Sequence, residues 1–303
     1  MLAFLDEFQH LKHFNLEEIK SVTGDFDKNN LIGEGGFGKG NPKFLKEIFM
    51  LSTYKHENLI SLTVFCDRDG EKILVYEHAS RGSLDRHLSS STLTWTQRLK
   101  ICLGAARGLC YLHDPKDTQQ RVIHRDIKSS NIQLDENWNA KQQSFLATNV
   151  IGTFFYIDPM YMETSILTKE SDVYSFGVVL FEVLCGSLCF EHTNNHFQSF
   201  VRMWKKSYKQ KELDKIIFPH LKHDMDQWSL ETFSEIAYLC IQKSRAERPS
   251  MMDVVEKLEI ALGLQQNIPQ MVEFEKMVKT TVKKEELEML LSKGILVNEG
   301  NTY

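Results

Sequence analysis

The chain has no Cys-x-x-Cys pair and no other cysteine spacing suited to a metal ion. Its six cysteines, at 66, 102, 110, 185, 189 and 240, stand apart, several inside apolar runs where a thiol packs as a small hydrophobe. A disulfide framework is therefore not expected, and a reduced, intracellular protein is. Long apolar runs are also missing. The most apolar stretch, Val173 to Cys185, is short of the ~20 residues that a membrane span takes. It is apolar on every side and is followed by Gly186, which predicts a buried helix with a glycine cap. Residues 1–13 carry acids and histidines where a secretory leader would be basic and then apolar, so no signal peptide is expected. Leu2 excludes N-myristoylation. An excess of basic charge is lacking as well: 36 basic against 41 acidic residues leave −5, which gives no electrostatic ground for nucleic-acid binding. The short basic clusters at Lys205-Lys206, Lys209 to Lys211 and Lys283-Lys284 read as solvated helix faces. There is no internal repeat, and Ser89-Ser90-Ser91 reads as a surface loop.

What is present is 303 residues, 42% of them apolar, enough to build one large domain or two lobes. Residues 14–23 predict a short helix. Leu31 to Gly38 predicts a strand entering a glycine-rich turn, and Phe44 to Thr53 a helix with Phe44, Ile48 and Leu51 on one face. Leu59 to Phe65 and Lys72 to Glu77 read as strands around the turn Asp67-Arg68-Asp69-Gly70. From Trp95 the pattern is mainly helical: Leu99, Cys102, Leu103, Ala106, Leu109 and Leu112 recur at helical spacing, and helices are expected near 170–185, 196–208, 229–242 and 250–262. The expected class is α+β in two lobes, a small strand-rich one to about residue 80 and a larger helical one after it. Residues 1–25 read as a lead-in and 26–264 as the domain. Residues 265–303 read as a linker helix and the start of a second domain that is cut short.

Two motifs carry chemistry. Gly33, Gly35 and Gly38 form a GxGxxG loop, in which backbone N–H groups can approach phosphates because no Cβ intervenes. A dinucleotide-binding turn shares that spacing, but it opens a helix, and none begins at Gly38. The second motif is far more specific. His124-Arg125-Asp126-Ile127-Lys128-Ser129-Ser130-Asn131, after the strand-like pair Val122-Ile123, is an HRDxKxxN loop. In phosphoryl transfer Asp126 would orient the attacking hydroxyl, Lys128 would neutralise the moving phosphoryl group, and Asn131 would hold Mg²⁺.

With these residues the chain resembles the intracellular kinase domain of plant receptor-like Ser/Thr kinases. Further points of likeness are the entry from Phe14 to Gly33, the run from Trp95 to His113, and Gly152-Thr153-Phe154…Tyr156…Asp158-Pro159…Tyr161. Ser171-Asp172-Val173-Tyr174-Ser175-Phe176-Gly177 and Arg248-Pro249 add to it, so the likeness covers about 14–262. The resemblance implies a two-lobed kinase fold, ATP and Mg²⁺ as cofactors, and transfer to protein Ser/Thr hydroxyls in plant signalling. It implies a glutamate at Glu47, an activation-segment arginine at Arg125, and Thr153 beside Asp126 and Lys128. It also implies a protein substrate or receptor-kinase partner, and a cytoplasmic location at the inner face of the plasma membrane through that partner.

Two segments of the family pattern are missing. In the family a strand bearing the phosphate-gripping lysine precedes the helix glutamate, but only residues 39–46 separate Gly38 from Glu47. Two strands and a turn need roughly 12 residues before any helix begins. Of the nearby lysines, Lys39 could in principle reach a phosphate, while Lys43 and Lys46 read as lying on or just before the helix, so none is expected to replace the missing one. The Asp-Phe-Gly motif expected after Lys141 is absent, and no Asp or Glu occurs from Ala140 to Ile157. A third departure is Met160, where the family has a glutamate that pairs with the arginine matching Arg248; the expected result is an uncompensated charge or an Arg248 turned to solvent. These losses predict weak ATP–Mg²⁺ binding with slow or absent transfer. Three readings stay open: a working kinase, a pseudokinase that binds partners, and a damaged domain whose sheet exposes an edge.

Overall fold

The computed structural model describes residues 12–13, 16–27, 41–68, 71–114, 120–143, 154–193 and 196–266. The described residues open with β1 (Lys12–His13) and α1 (Leu16–Thr23), then α2 (Asn41–Thr53), β2 (Leu62–Arg68) and β3 (Glu71–Tyr76). A second sheet holds β4 (Gly82–Ser83), β5 (Ile132–Leu134) and β6 (Ala140–Gln142), with α3 (Trp95–His113) between β4 and β5. Beyond them come α4 (Pro159–Thr164), α5 (Lys169–Cys185), the hairpin β7 (Phe190–Thr193) and β8 (His196–Ser199), α6 (Val201–Lys209), α7 (Gln227–Cys240) and α8 (251–266). This is the two-lobed arrangement read from the sequence, a small strand-rich lobe followed by a helical one.

In the first lobe β2 runs parallel to β1 and antiparallel to β3, with Arg68 opposite Glu71. Helix α2 places Phe44, Ile48 and Leu51 in one cluster with Leu62 and Phe65 of β2, as the spacing predicts. The predicted strand at Leu59 starts three residues later, at Leu62. Asn58 to Ile60 bond to the other lobe instead: Gln142 N–H donates to Asn58 O at 2.8 Å, and Ile60 N–H donates to Gln142 O at 2.8 Å.

The second lobe forms around α3 and α5. Thr94 and Gln97 close a reciprocal capping box at the start of α3, and the apolar positions named above are all buried. Helix α5 is buried all round, and Gly186, at φ +67°, ends it in the left-handed conformation that glycine adopts without strain. Arg98 is wholly buried, with its guanidinium donating to the carbonyls of Leu88, Ser90, Leu93 and Val183. Burial pushes its pKa down, to about 10.

Three expectations shift. Residues 196–199 are a strand, and the helix expected from 196 starts at Val201, because His196 to Ser199 pair with β7. Val122-Ile123 is not in a strand; the Val122 N–H instead donates to Leu112 O at the end of α3. The helix expected over 250–262 continues to residue 266, and Gln265 within it receives the Asp226 N–H at 2.8 Å.

The lobes meet where Asn58 lies on α3. A Cβ placed on Gly108 would come 2.7 Å from Asn58 O, and one on Gly104 would come 2.9 Å from Asn58 Nδ2. Gly108→Ala therefore sets helix propensity, a gain of about 1 kcal/mol, against overpacking of about 1–3 kcal/mol. The backbone carbonyl cannot yield as a side chain would, so the expected outcome is a net loss of stability, read as a lower Tm with the helical CD signal retained.

Candidate active site

The catalytic loop leaves α3 and returns beneath α5. Its anchor is Asp172, buried in the first turn of α5. His113 Nε2–H donates to Asp172 Oδ2 at 2.9 Å, and the backbone N–H of His124 donates to the same oxygen at 2.7 Å. The Arg125 N–H donates to Oδ1 at 2.8 Å, and Arg125 holds φ +76°. A non-glycine residue pays for positive φ, and here the carboxylate fixes the turn. His124 is fully buried; burial lowers its pKa more than the Asp172 and Asp126 carboxylates raise it, so the ring is neutral. Its Nε2–H donates to Gln143 O at 3.1 Å.

This turn brings together three of the residues named from the sequence. Lys128 Nζ lies 3.2 Å from Asp126 Oδ2. Asn131 Nδ2 donates to Asp126 Oδ2 at 2.8 Å and to Asp126 O at 2.7 Å. The Asn131 side chain thus spends its amide N–H groups on Asp126, and its carbonyl oxygen is the atom that could accept from a donor or a cation. Arg125 is exposed, and among the described residues no carboxylate pairs with its guanidinium. Glu47 is fully buried on α2, and the Tyr76 hydroxyl donates to its Oε1 at 3.3 Å. Lys46 is exposed. Thr153, Gly33, Gly35, Gly38 and Lys39 lie outside the described residues.

The hairpin of β5 and β6 is two-faced. Ile132, Leu134 and Ala140 enter the core, while Gln133 and Lys141, opposite each other across the ladder, face the other way. Gln133 Nε2 donates to Ser130 O at 3.1 Å and to Gln143 Oε1 at 3.3 Å. Lys141 Nζ reaches Glu77 Oε2, just beyond β3, at 2.9 Å. Among the described residues no group of three His, Cys, Asp or Glu side chains could hold a metal ion. Asp135 receives the N–H groups of Asn137 and Asn139 in the hairpin turn, away from Asn131. The described residues thus fit a Mg²⁺–nucleotide complex only at Asn131 and Asp126.

The segment that follows is held by carboxylates whose part the sequence did not reveal. Asp158 is buried and its Oδ1 receives Arg248 Nη2 at 2.6 Å. Its Oδ2 receives Ser171 Oγ at 2.9 Å and Arg245 Nη2 at 2.9 Å. Arg248, whose charge was expected to be uncompensated or turned to solvent by Met160, is instead wholly buried, paired with Asp158 and set over the Tyr174 ring at 5.0 Å. Burial pushes the Asp158 carboxyl up, but the hydrogen bond and charge of Arg248, then Ser171 and Arg245, outweigh it and hold it below the usual range. Near the catalytic loop, the Tyr156 hydroxyl donates to buried Glu182 Oε1 at 2.5 Å and lies 3.4 Å from Ser129 Oγ. Burial raises the Glu182 pKa to about 7.

A family model described as the protein kinase domain matches residues 37–258. The chain belongs to the protein kinase family. Over 297 residues it is 40% identical to "Receptor-like protein kinase FERONIA" of Arabidopsis thaliana, across 84% of this chain and 33% of that protein. "Receptor-like protein kinase ANXUR2" of the same plant is 40% identical over 295 residues, 84% of this chain and 34% of the relative. "Receptor-like protein kinase HERK 1", also from that plant, is 41% identical over 290 residues, 82% and 35%. This kinase domain therefore spans about a third of the length of the curated relatives it matches. Among the described residues, no helix is long and apolar enough to cross a membrane. Kinases of this family use ATP and Mg²⁺ and act on proteins.

Two carboxylates yield opposite pH responses. Asp158 has its pKa below the unfolded value of 3.8, so its stabilisation is present above that pH and is lost as pH falls further. Asp158→Asn should cost about 3–5 kcal/mol at neutral pH, because it leaves buried guanidinium charge without a partner; denaturant unfolding measures it. Glu182 keeps a proton in the fold that the unfolded chain gives up near 4.5, so stability is lost as pH rises from there to about 7. The stability of Glu182→Gln relative to the parent should therefore rise between about pH 5 and about pH 8, read from urea midpoints across that range.

Proposed function

We propose that this domain is a protein Ser/Thr kinase of the plant receptor-like type whose phosphoryl transfer is impaired, acting in plant signalling. In this reading Asp126 orients the acceptor hydroxyl, Lys128 neutralises the phosphoryl group and Asn131 holds Mg²⁺. Arg125 receives a phosphate on the activation segment, and Thr153 lies beside Asp126 and Lys128. Gly33, Gly35 and Gly38 cover the nucleotide phosphates, and Glu47 orients whatever cation grips them. The domain is taken as 26–264, preceded by a lead-in and followed by a linker, and its partner as a protein substrate or a receptor kinase at the cytoplasmic face of the plasma membrane.

The observation that carries the reading is the contrast between an intact Asp126–Lys128–Asn131 cluster and a stretch from Ala140 to Ile157 without one carboxylate to complete the metal site. Phosphoryl transfer asks the protein mainly for positioning and charge stabilisation, so the loss of a metal ligand falls directly on the rate. The second reading, a pseudokinase that binds partners as a scaffold, rests on the same features taken to their limit.

Radiolabelled phosphate transfer from ATP–Mg²⁺ to a generic protein acceptor, with Asp126→Asn as control, tests this. The expected result is a signal at or near that of the control. Robust transfer that Asp126→Asn abolishes would overturn the impairment.

A further inference from the structure

Helix α6 carries a charge that the fold does not use. From Val201 to Lys211 the sequence has five basic residues and no Asp or Glu, in a chain whose formal charge is −5. Val201, Trp204 and Ser207 turn one face of the helix into the core, where Trp204 stacks on Phe181 at 5.5 Å. At roughly 100° per residue, Arg202, Lys205, Lys206 and Lys209 fall within an arc of about 100° on the opposite side. Arg202, Lys206 and Lys209 are exposed, as is Lys211 just past the helix.

Ordinary helix chemistry accounts for part of this. Lys206 and Lys209, in the last turn, complement the C-terminal end of the helix dipole. Arg202 stands in the first turn, where a cation is disfavoured. Arg202 and Lys206 are like charges four residues apart, as are Lys205 and Lys209, and such pairs weaken a helix. Lys205 is partly buried, and its pKa is lowered by burial, then by Arg248 and Lys209, with Glu247 pulling the other way. The carboxylates of adjoining elements are engaged elsewhere, Glu212 with Lys215 and Glu235 with Lys257.

Position and size narrow the class of anion that would relieve this repulsion. Helix α6 follows the β7–β8 hairpin, and Phe190 of β7 stacks on Phe155 at 4.6 Å. The next residue, Tyr156, has its hydroxyl 3.4 Å from Ser129 Oγ of the catalytic loop. Lys205 feels the charge of Arg248, and Arg248 holds Asp158 at the start of α4. The cationic face thus adjoins the segment that runs on from the catalytic loop. From Arg202 to Lys209 it is roughly 10 Å long, a span that takes about three residues of extended polypeptide and exceeds a single small anion.

We propose that the outward face of α6 docks an acidic segment of a protein partner, with its carboxylates on Arg202, Lys206 and Lys209. That this partner is the phosphate acceptor rests on the protein-kinase reading of the site; the docking itself does not. Contacts of this kind steer encounter and choose between partners by charge, and they weaken as salt is added.

Fluorescence anisotropy of a labelled hexaglutamate peptide with the full chain tests it. Binding should appear at low ionic strength and fall as salt rises. Lys206→Glu should weaken it by about tenfold. Lys100→Glu, the same change of net charge at an exposed lysine of α3, should leave it unaltered. Carbodiimide coupling of the bound peptide should mark lysines between 205 and 211. No binding at low salt, equal losses in the two variants, or coupling confined to other lysines would overturn the proposal. So would a chain that ignores the peptide and associates with phosphatidylserine vesicles through Lys206, which would make the face a membrane contact. Binding is read without ATP, so failure of docking and failure of the kinase reading are separate results.

Discussion

One carboxylate organises the centre of this protein. Asp172 is buried at the start of α5 and accepts hydrogen bonds from the His113 ring and from two successive backbone N–H groups, at His124 and Arg125. A buried charge is tolerable only when its lone pairs are satisfied, and these donors satisfy it. In return it forces Arg125 into positive φ and sets the bend from which Asp126, Lys128 and Asn131 converge. The reaction geometry is thus held by the interior of the larger lobe, through the most thoroughly buried helix among the described residues. It does not depend on the smaller lobe, so the loop stays ordered whatever replaces the strand that is missing between Gly38 and Glu47.

Much of this was legible in the sequence because it follows from local pattern. The 3.6-residue spacing of Leu99, Cys102, Leu103, Ala106, Leu109 and Leu112 set α3, and the uniform apolar run before Gly186 set α5. The HRDxKxxN order places its side chains within a few residues of one another, so a short turn suffices to gather them. What could not be read depends on contacts between distant segments. Leu59 and Ile60 look like strand, but their polar groups were claimed by Gln142 from the other lobe. His196 to Ser199 fit a helical pattern until β7 paired with them.

Arg248 shows the same limit in electrostatic form. Met160 removes a carboxylate at the position where a family resemblance would seek one, and the sequence offers no reason to prefer Asp158, two residues earlier. In the fold Asp158 is the N-cap of α4, donating nothing and receiving Met160 N–H at 2.9 Å. That role already points its carboxylate inward, within reach of Arg245 and Arg248. A cap and an ion pair need the same oxygen atoms, and one residue supplies both.

The contact of Asn58 with α3 makes the junction between lobes a fulcrum. Gly104 and Gly108 let the loop after α2 lie so close to α3 that it cannot slide. The smaller lobe can then move chiefly by rocking about that point, with α2 as the lever arm. Glu47 lies six residues before Thr53, roughly 9 Å along the helix at 1.5 Å per residue. A rotation of about 10° therefore carries Glu47 through roughly 1.5 Å relative to the larger lobe, and Tyr76, bonded to it at 3.3 Å within the same lobe, travels with it. The lobe angle is therefore gauged by the separation of Glu47 from α3, which rocking changes while leaving the catalytic loop undisturbed.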